Sequence, residues 1–505
     1  MSEFLLPKGY RNTDVIQKRL LNSPEDLFIR RGQNRALKLF HEMAARVPAY
    51  QDFLSKNNIN PSSIRNAEDM GRVPTIDKDN YLRAYPKEQM CWDGDFGRGR
   101  WTISTTSGST GKPYYFPREA SQDWQYAIMA DLYLRNNFQI QSKTTLYIVA
   151  FPMGAWIGGL FTYEALRLIA DSAGYDLSII TPGIHKQGVI DAVKELGDSF
   201  DQIIIGAYAP FLKDILDDGK QEGIDWKKYD LGFVFSAEAF SESFRDYVID
   251  VSAPEDIYRF SLNHYGTVDQ GTLAHETPES VYIRRRLIQD DKLDLIFPEK
   301  HRQPTFAQYN PELFYFEQEE NNLICSSYSG LPLVRYNLKD YGGIITKKDV
   351  YSVLTEAGID IKAGLLKAGI AKGRWNLPFI YIYERDDFSV SYYSFLIYPD
   401  TVRRALLGQE ASLLSTGKFS MHSDYGSRGR QHLKIHIELR KGVVENENIK
   451  MKLRDIIHEK LTKESSEYTE TFKEVGEVVK PLVELWGYEH AEHFKSGSKQ
   501  QWVKK

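Results

Sequence analysis

The sequence predicts an α/β protein in two parts: a large N-terminal domain with mainly parallel sheets and a β-rich subdomain, then a small α+β C-terminal domain joined by a hinge. Three observations carry this reading. A chain of 505 residues exceeds what one hydrophobic core usually organises. Between residues 146 and 251, short β-branched runs alternate with amphipathic stretches, the pattern of βαβ units. From about residue 290, strand and turn patterns without long helices take over, and an α+β pattern of about 120 residues follows them. The boundary falls between 384 and 385, giving domains 1–384 and 385–505.

Taken in order, the first hundred or so residues carry helical periodicity, as in Leu37, Phe40, His41 and Ala44, and then proline punctuation at Pro74 and Pro86. They read as a helical lead-in. Strands are expected at 146–151, 177–181, 202–206 and 231–236, with helices at 160–173, 189–200, 211–218 and 243–251 between and after them. Further strands are expected at 313–316, 323–327 and 342–346. In the small domain, strands at 419–423 and 432–439 flank a Gly/Ser/Arg turn.

Composition narrows the function. A formal net charge of -5 supplies no basic field for a phosphate backbone or an anionic membrane, so nucleic acid is not the expected partner. No apolar run approaches the roughly 20 residues of a membrane span. Cys91 and Cys325 are too few for a disulfide framework, and the N-terminus lacks a secretory pattern, so a cytoplasmic protein is expected.

The strongest local signal is Thr105-Thr106-Ser107-Gly108-Ser109-Thr110-Gly111-Lys112-Pro113, set between two aromatic strands. Its five hydroxyls, two glycines and one lysine suit a loop that wraps an anionic phosphate chain. It is not a Walker A loop, which needs glycine at Thr106, Ser or Thr at Pro113, and a helix directly afterwards. Later segments add to it: Phe235-Ser236-Ala237-Glu238, Asn263-His264-Tyr265-Gly266-Thr267-Val268-Asp269, Arg335-Tyr336 with Asp340, Glu384-Arg385-Asp386-Asp387, and Gly497-Ser498-Lys499. A carboxylate such as Asp340 accepts two O–H donors, which matches a cis-diol. Asp269 is chemically able to hold a hard divalent cation.

In this order the segments resemble the adenylate-forming superfamily of acyl-CoA synthetases, and most closely its phenylacetate-CoA ligase-like branch. The resemblance runs almost the full chain, and Val73-Pro74-Thr75-Ile76-Asp77-Lys78 fit it too. It implies an acid-thiol ligase that turns a carboxylic acid, aryl or medium acyl, into its acyl-adenylate with ATP and Mg²⁺, then transfers the acyl group to coenzyme A. A carrier-protein pantetheine or an amine is the alternative acceptor, and a catalytically decayed nucleotide-binding homologue is the rival reading. The implied nucleotide contacts are Thr106, Ser107, Gly108, Ser109, Thr110, Gly111 and Lys112 on the phosphates, Ser236, Ala237, Glu238, His264, Tyr265 and Gly266 around the adenine, and Asp340 with Arg385. Asp269 is the implied magnesium ligand, Lys499 the lysine bridging carboxylate and α-phosphate, and Asp386 the hinge. Asp269 stands where the family has glutamate, and Val268 where it has a hydroxyl, so Thr267 is the candidate to contact the α-phosphate. Lys495, Lys504 and Lys505 lie close to Lys499 in sequence.

For the acyl group, strand ends in an α/β sheet are the expected site. Phe151, Met153, Trp156 and Gly159 after one strand and Tyr208 and Pro210 after another are the candidates, an aromatic and apolar lining. Arg284-Arg285-Arg286 reads either as a contact for the acceptor's phosphates or as a solvated face.

Overall fold

A computed structural model describes residues 7, 10–97, 99–105, 114–237, 239–300, 302–383, 389–392, 395–425, 431–497 and 500–504. The lead-in is helical: α1 (Thr13–Asn22), α2 (Glu25–Arg46), α3 (Pro48–Lys56), α4 (Ala67–Met70) and α5 (Lys87–Met90). The short strands β1 (Thr102–Thr105) and β2 (Tyr115–Arg118) then pair antiparallel as a hairpin, with Thr105 opposite Tyr115.

The central feature is one 11-stranded sheet with two characters. Its first half is parallel: β3 (Thr145–Ala150), β4 (Leu177–Ile180), β5 (Gln202–Ala207), β6 (Leu231–Phe235) and β7 (Ser261–Thr267), in the order β4-β3-β5-β6-β7. β3, β5 and β6 are buried along their whole length, which is why they read as unbroken apolar runs instead of alternating ones. Helices α6 (Ala120–Phe138) and α7 (Ile157–Ala173) supply the core on one face, with Tyr126, Tyr133 and Phe161 against Tyr147 and Val149. Helices α8 (Lys186–Leu196), α9 (Ala209–Gln221) and α10 (Glu242–Ser252) pack on the other, with Leu212, Ile215 and Val248 against Ile148 and Ile205.

From β7 onward the same sheet continues antiparallel through β8 (Gly271–His275), β9 (Thr305–Tyr309), β10 (Tyr315–Glu319), β11 (Asn322–Ser327), β12 (Leu333–Ile345) and β13 (Phe379–Ile382). Helix α11 (Pro278–Gln289) opens on a capping box between Thr277 and Ser280, with Pro278 in its first turn. After residue 290, where the sequence predicts no long helix, two short ones occur. Helices α12 (Lys347–Glu356) and α13 (Ile361–Lys367) sit between β12 and β13, each started by a side-chain cap from Thr346 or Asp360. Their apolar positions Val350, Leu354 and Leu365 complete a core with Phe306 and Phe379.

The small C-terminal domain has its own core, in which Val402, Phe419, Ile435, Leu453 and Tyr468 are buried together. It contains the hairpin β14 (Val390–Tyr392) and β15 (Phe395–Ile397), then α14 (Pro399–Leu406) and α15 (Gln409–Ser412). A three-stranded sheet follows, of β16 (Ser415–Tyr425), β17 (Gln431–Leu439) and β18 (Leu482–Trp486), with α16 (Glu447–Glu464) and α17 (Ser466–Val475) between the last two. Among the described residues, no helix is long and apolar enough to cross a membrane.

Candidate active site

The site begins at the junction of the two halves of the sheet, on β7. Successive side chains on a strand point to opposite faces, so His264 and Tyr265 part company. The Tyr265 hydroxyl donates to Asp340 Oδ2 on β12 at 2.7 Å. Burial, and then the Asp340 charge, push the Tyr265 phenol well above its ordinary pKa, so it stays a donor. The chain thus holds an aromatic ring and a partly exposed carboxylate as one unit across two strands. Gly266 follows because β8 runs too close for a side chain: a Cβ there would lie 2.9 Å from the Gly271 carbonyl oxygen. His264 is buried beside the rings of Tyr133 and His275, and its Nε2 has no hydrogen-bond partner among the described residues. Burial and the His275 neighbour lower its pKa well below the ordinary range, keeping the imidazole neutral.

Just past β7, Asp269 is buried, with two contacts at Oδ2: the Tyr336 hydroxyl at 2.5 Å and Lys78 Nζ at 3.4 Å. Lys78 reaches it because the lead-in is stitched onto β12. Ile76 N–H donates to the Arg335 carbonyl at 3.1 Å, and Asn337 N–H to the Ile76 carbonyl at 2.8 Å. Arg335 fixes the same segment through the carbonyls of Gly71 and Val73 and pairs with Glu317 and Glu319. Asp77 then caps the single helical turn Lys78–Leu82 by accepting from the N–H groups of Asp79 and Asn80. Lys78 and Tyr336 as partners of Asp269 were not foreseen from sequence, although both lie in segments that the resemblance singled out. Thr267 Oγ1 accepts from Gln270 N–H at 3.2 Å, while Val268 packs into the lead-in core. Ser236 and Ala237 sit at the end of β6, with Ala237 at φ 71°, a left-handed conformation that an alanine adopts only where its surroundings impose it.

The phosphate-loop residues Thr106, Ser107, Gly108, Ser109, Thr110, Gly111 and Lys112 lie outside the described residues, as do Glu238, Arg385, Asp386 and Lys499. The strands on either side of the loop are placed: Thr105 N–H donates to the Ala155 carbonyl at 2.9 Å, which sets the hairpin beside the β3–α7 turn. That turn carries the acyl candidates. Phe151 is buried and its ring lies 5.7 Å from that of Tyr208, which opens α9. Gly159 has no room for a side chain, since a Cβ would meet Met153 Sδ and the Pro152 carbonyl oxygen at 2.5 Å. Trp156 is 41% exposed, so it stands at the surface of this turn and not in its core.

A small open cavity joins the two domains here, with Tyr208 and Pro210 on one wall and Lys495, Gly497 and Gln500 on the other. Gly497 has φ 71°, and a Cβ there would lie 2.5 Å from that of Ile184. On the far side of residues 498–499, Gln500 Nε2 donates to the Phe419 carbonyl at 2.8 Å. Trp502 and Lys504 complete a bridge to Met421 at 2.8 and 2.9 Å. The described neighbours of Lys499 are therefore anchored where the two domains meet.

The arginine triplet divides: the solvated-face reading holds for Arg286 and is corrected for Arg284 and Arg285. Arg284 is 1% exposed and bonded to Glu242 and Glu276, Arg285 pairs with Glu242 and Asp246, and Arg286 pairs with Asp290. Arg284 belongs neither to a solvated face nor to a phosphate site; it closes a buried ionic network that ties α10 to α11.

No family model matches this sequence, and no curated protein is similar to it. Solved structures are similar in fold. 2-Hydroxyisobutyryl-CoA ligase in the postadenylation state with 2-HIB-AMP superposes with a TM-score of 0.62 at 13% identity, over 96% of this chain and 91% of that one. In its thioesterfication state the same protein scores 0.52 at 12% identity over the same shares. AtGH3.15 acyl acid amido synthetase in complex with 2,4-DB scores 0.60 at 13% identity, over 99% of this chain and 95% of that one. Over nearly its whole length, the chain has the two-domain fold of the adenylate-forming ligases.

Proposed function

We propose that this protein activates a carboxylic acid, aryl or medium acyl, as its acyl-adenylate and then passes the acyl group to a thiol, coenzyme A first. In the first step a carboxylate oxygen attacks the α-phosphate of ATP and the bond to pyrophosphate breaks; in the second a thiol sulfur replaces AMP on the acyl carbon. The observation that carries this reading is the Tyr265–Asp340 pair at 2.7 Å, a ring and a carboxylate brought together from two strands of one sheet. The ring offers a stacking face for a purine and the carboxylate accepts from ribose hydroxyls.

Ser236, Ala237, Glu238 and Gly266 border the base and Arg385 assists at the ribose, whereas His264 supports β7 from the opposite face. Thr106 to Lys112 wrap the β- and γ-phosphates, Thr267 donates at the α-phosphate, and Lys499 steadies the charge that develops there. Phe151, Trp156, Gly159 and Tyr208 border the acyl group. No protein nucleophile is required; positioning and electrostatics carry the reaction. Asp269, a single buried carboxylate whose named contacts both fall on Oδ2, would hold a magnesium ion brought in with the nucleotide. When bound there, the ion neutralises phosphate charge, and Lys78 shares that task. We place the domain boundary at 384/385 with Asp386 as the pivot, and the protein in the cytoplasm.

An amine or a carrier-protein thiol is the second reading for the acceptor; the likeness to an acyl acid amido synthetase over 99% of this chain favours the amine. The test is carboxylate-dependent exchange of labelled pyrophosphate into ATP across aryl and aliphatic acids, with Asp340→Ala and Lys499→Ala beside the parent. Exchange with one acid class, weakened in both variants, is expected. ATP binding without exchange for any acid would instead support the decayed homologue. Once an acid is known, an acceptor screen separates thiol from amine.

A further inference from the structure

Helix α9 is buried on both sides. Leu212, Ile215 and Leu216 face the sheet, as its amphipathic pattern requires. The opposite face carries Asp214, Asp217 and Asp218, three carboxylates within one turn, and it meets the small domain instead of water. Each is received from across the seam. Lys418 on β16 pairs with Asp214 and lies 3.4 Å from Glu438, and all three side chains are almost wholly buried. Arg440, just after β17, reaches Asp217 at 3.1 Å. The Tyr488 hydroxyl donates to Asp218 at 2.9 Å, and Lys186 on α8 bonds to Asp218 and to Glu489 of the small domain, the latter at 2.7 Å.

We infer that the acidic face of α9 is a docking key that holds the small domain in the orientation presenting the Gly497 segment to the large domain, so that Asp214, Asp217 and Asp218 are positioning residues for adenylation. The physical case rests on reversibility. A greasy seam penalises opening through exposed apolar area, whereas charged groups regain hydration when they part. Docked, buried Asp214 depends on Lys418, while Asp217 also keeps Lys213 and Tyr247 of its own domain and Asp218 has two partners, so each lost partner weakens the docked state by a different amount. The seam is thus selective for one orientation and still able to open. It also lies beside the Ile184–Gly497 contact and the cavity shared by Tyr208 and Gly497, so undocking moves that segment away from the acyl candidates. The higher superposition on the postadenylation state of 2-hydroxyisobutyryl-CoA ligase than on its thioesterfication state agrees with a chain held in the first arrangement.

The inference rests on the adenylation reading for its consequence, but not for its geometry, and the test separates the two. Spin labels at Glu195→Cys and Glu445→Cys, both exposed, report the distance between domains while Cys91 and Cys325 stay buried. The labelled parent should give one narrow distance. Lys186→Met with Arg440→Met should add a second population, and pyrophosphate exchange should fall on the order of tenfold in kcat with the KM for ATP unchanged. Lys186→Arg should keep the parent's distance and rate. An unchanged single distance in the double variant overturns the docking key, whatever the enzyme does. A shifted distance with unchanged exchange overturns the positioning role. A parent that binds ATP and exchanges with no acid counts against adenylation alone, because the distance measurement still decides the docking key.

Discussion

The nucleotide corner and the domain seam both use aspartates, and they treat them in opposite ways. At the corner, Asp340 and Asp269 receive phenolic hydroxyls from Tyr265 and Tyr336, and Lys78 lies 3.4 Å from Asp269. Along the seam, Asp214 and Asp217 are held by lysine and arginine, and Asp218 by a lysine and a tyrosine. A neutral donor orients a carboxylate without cancelling its charge, whereas a cation cancels it. The phenols orient the corner carboxylates, and the ion pairs of the seam hold two bodies together. The residue type alone does not separate a binding carboxylate from a docking one; its partner does.

Breaking the seam should give the largest effect. Lys418→Met removes the cation that buried Asp214 and Glu438 share, although Glu438 keeps the Thr416 hydroxyl and the Glu489 N–H, and should lower stability by about 3–5 kcal/mol in urea titrations. A similar loss without substitution is expected from acid. Burial raises the Glu242 carboxyl, but Arg245, Arg284 and Arg285 outweigh it and hold it at about 2. Because the folded value lies below the unfolded one, this stability is present above the unfolded pKa near 4.5 and is lost as pH falls through about 2. It amounts to about 3 kcal/mol, read from melting temperature against pH. Since Glu242 lies within the large domain, its loss sharpens the comparison by isolating a saturated carboxylate away from the seam.

At the corner, Asp340→Ala should cut pyrophosphate exchange about 100-fold through the KM for ATP and kcat together, with little change in urea midpoint. Gly497→Ala forces a side chain into a left-handed backbone against Ile184, a penalty of about 1–2 kcal/mol, and exchange should drop about tenfold. The smallest effect is Tyr336→Phe, which frees Asp269 from one hydroxyl and should cost about 1 kcal/mol in binding Mg·ATP. If Tyr336→Phe matched Asp340→Ala, the orienting role of the phenol would have to become a catalytic one.

Much of the parallel half was legible in the sequence. The run expected at 146–151 is β3, Thr145–Ala150, and the helix expected at 211–218 is the centre of α9, Ala209–Gln221. β-branched strands and amphipathic helices announce themselves locally. The continuity of the parallel and antiparallel halves was not legible, because it depends on β7 turning into β8 with β9 alongside. At the site, Tyr265, Asp269 and Asp340 stood out as motifs, but the Tyr336–Asp269 bond joins residues 67 apart and the Lys418–Asp214 pair joins residues 204 apart. Such partners follow from tertiary packing and leave no local pattern. The arginine triplet misled for the same reason, since Glu242 and Glu276 that bury Arg284 lie on other elements. One signal was readable in retrospect: Asp214, Asp217 and Asp218 form an acidic stripe on a helix, and an acidic stripe needs either water or cations.

Adenylation requires that a carboxylate oxygen becomes bonded to the α-phosphate of ATP. Oxygen-18 in both carboxylate oxygens of an acid that supports exchange tests it directly, with products analysed by mass spectrometry after transfer to the acceptor. Adenylation gives one labelled oxygen in AMP, no labelled inorganic phosphate and no ADP; label in inorganic phosphate alongside ADP would mean attack at the γ-phosphate instead.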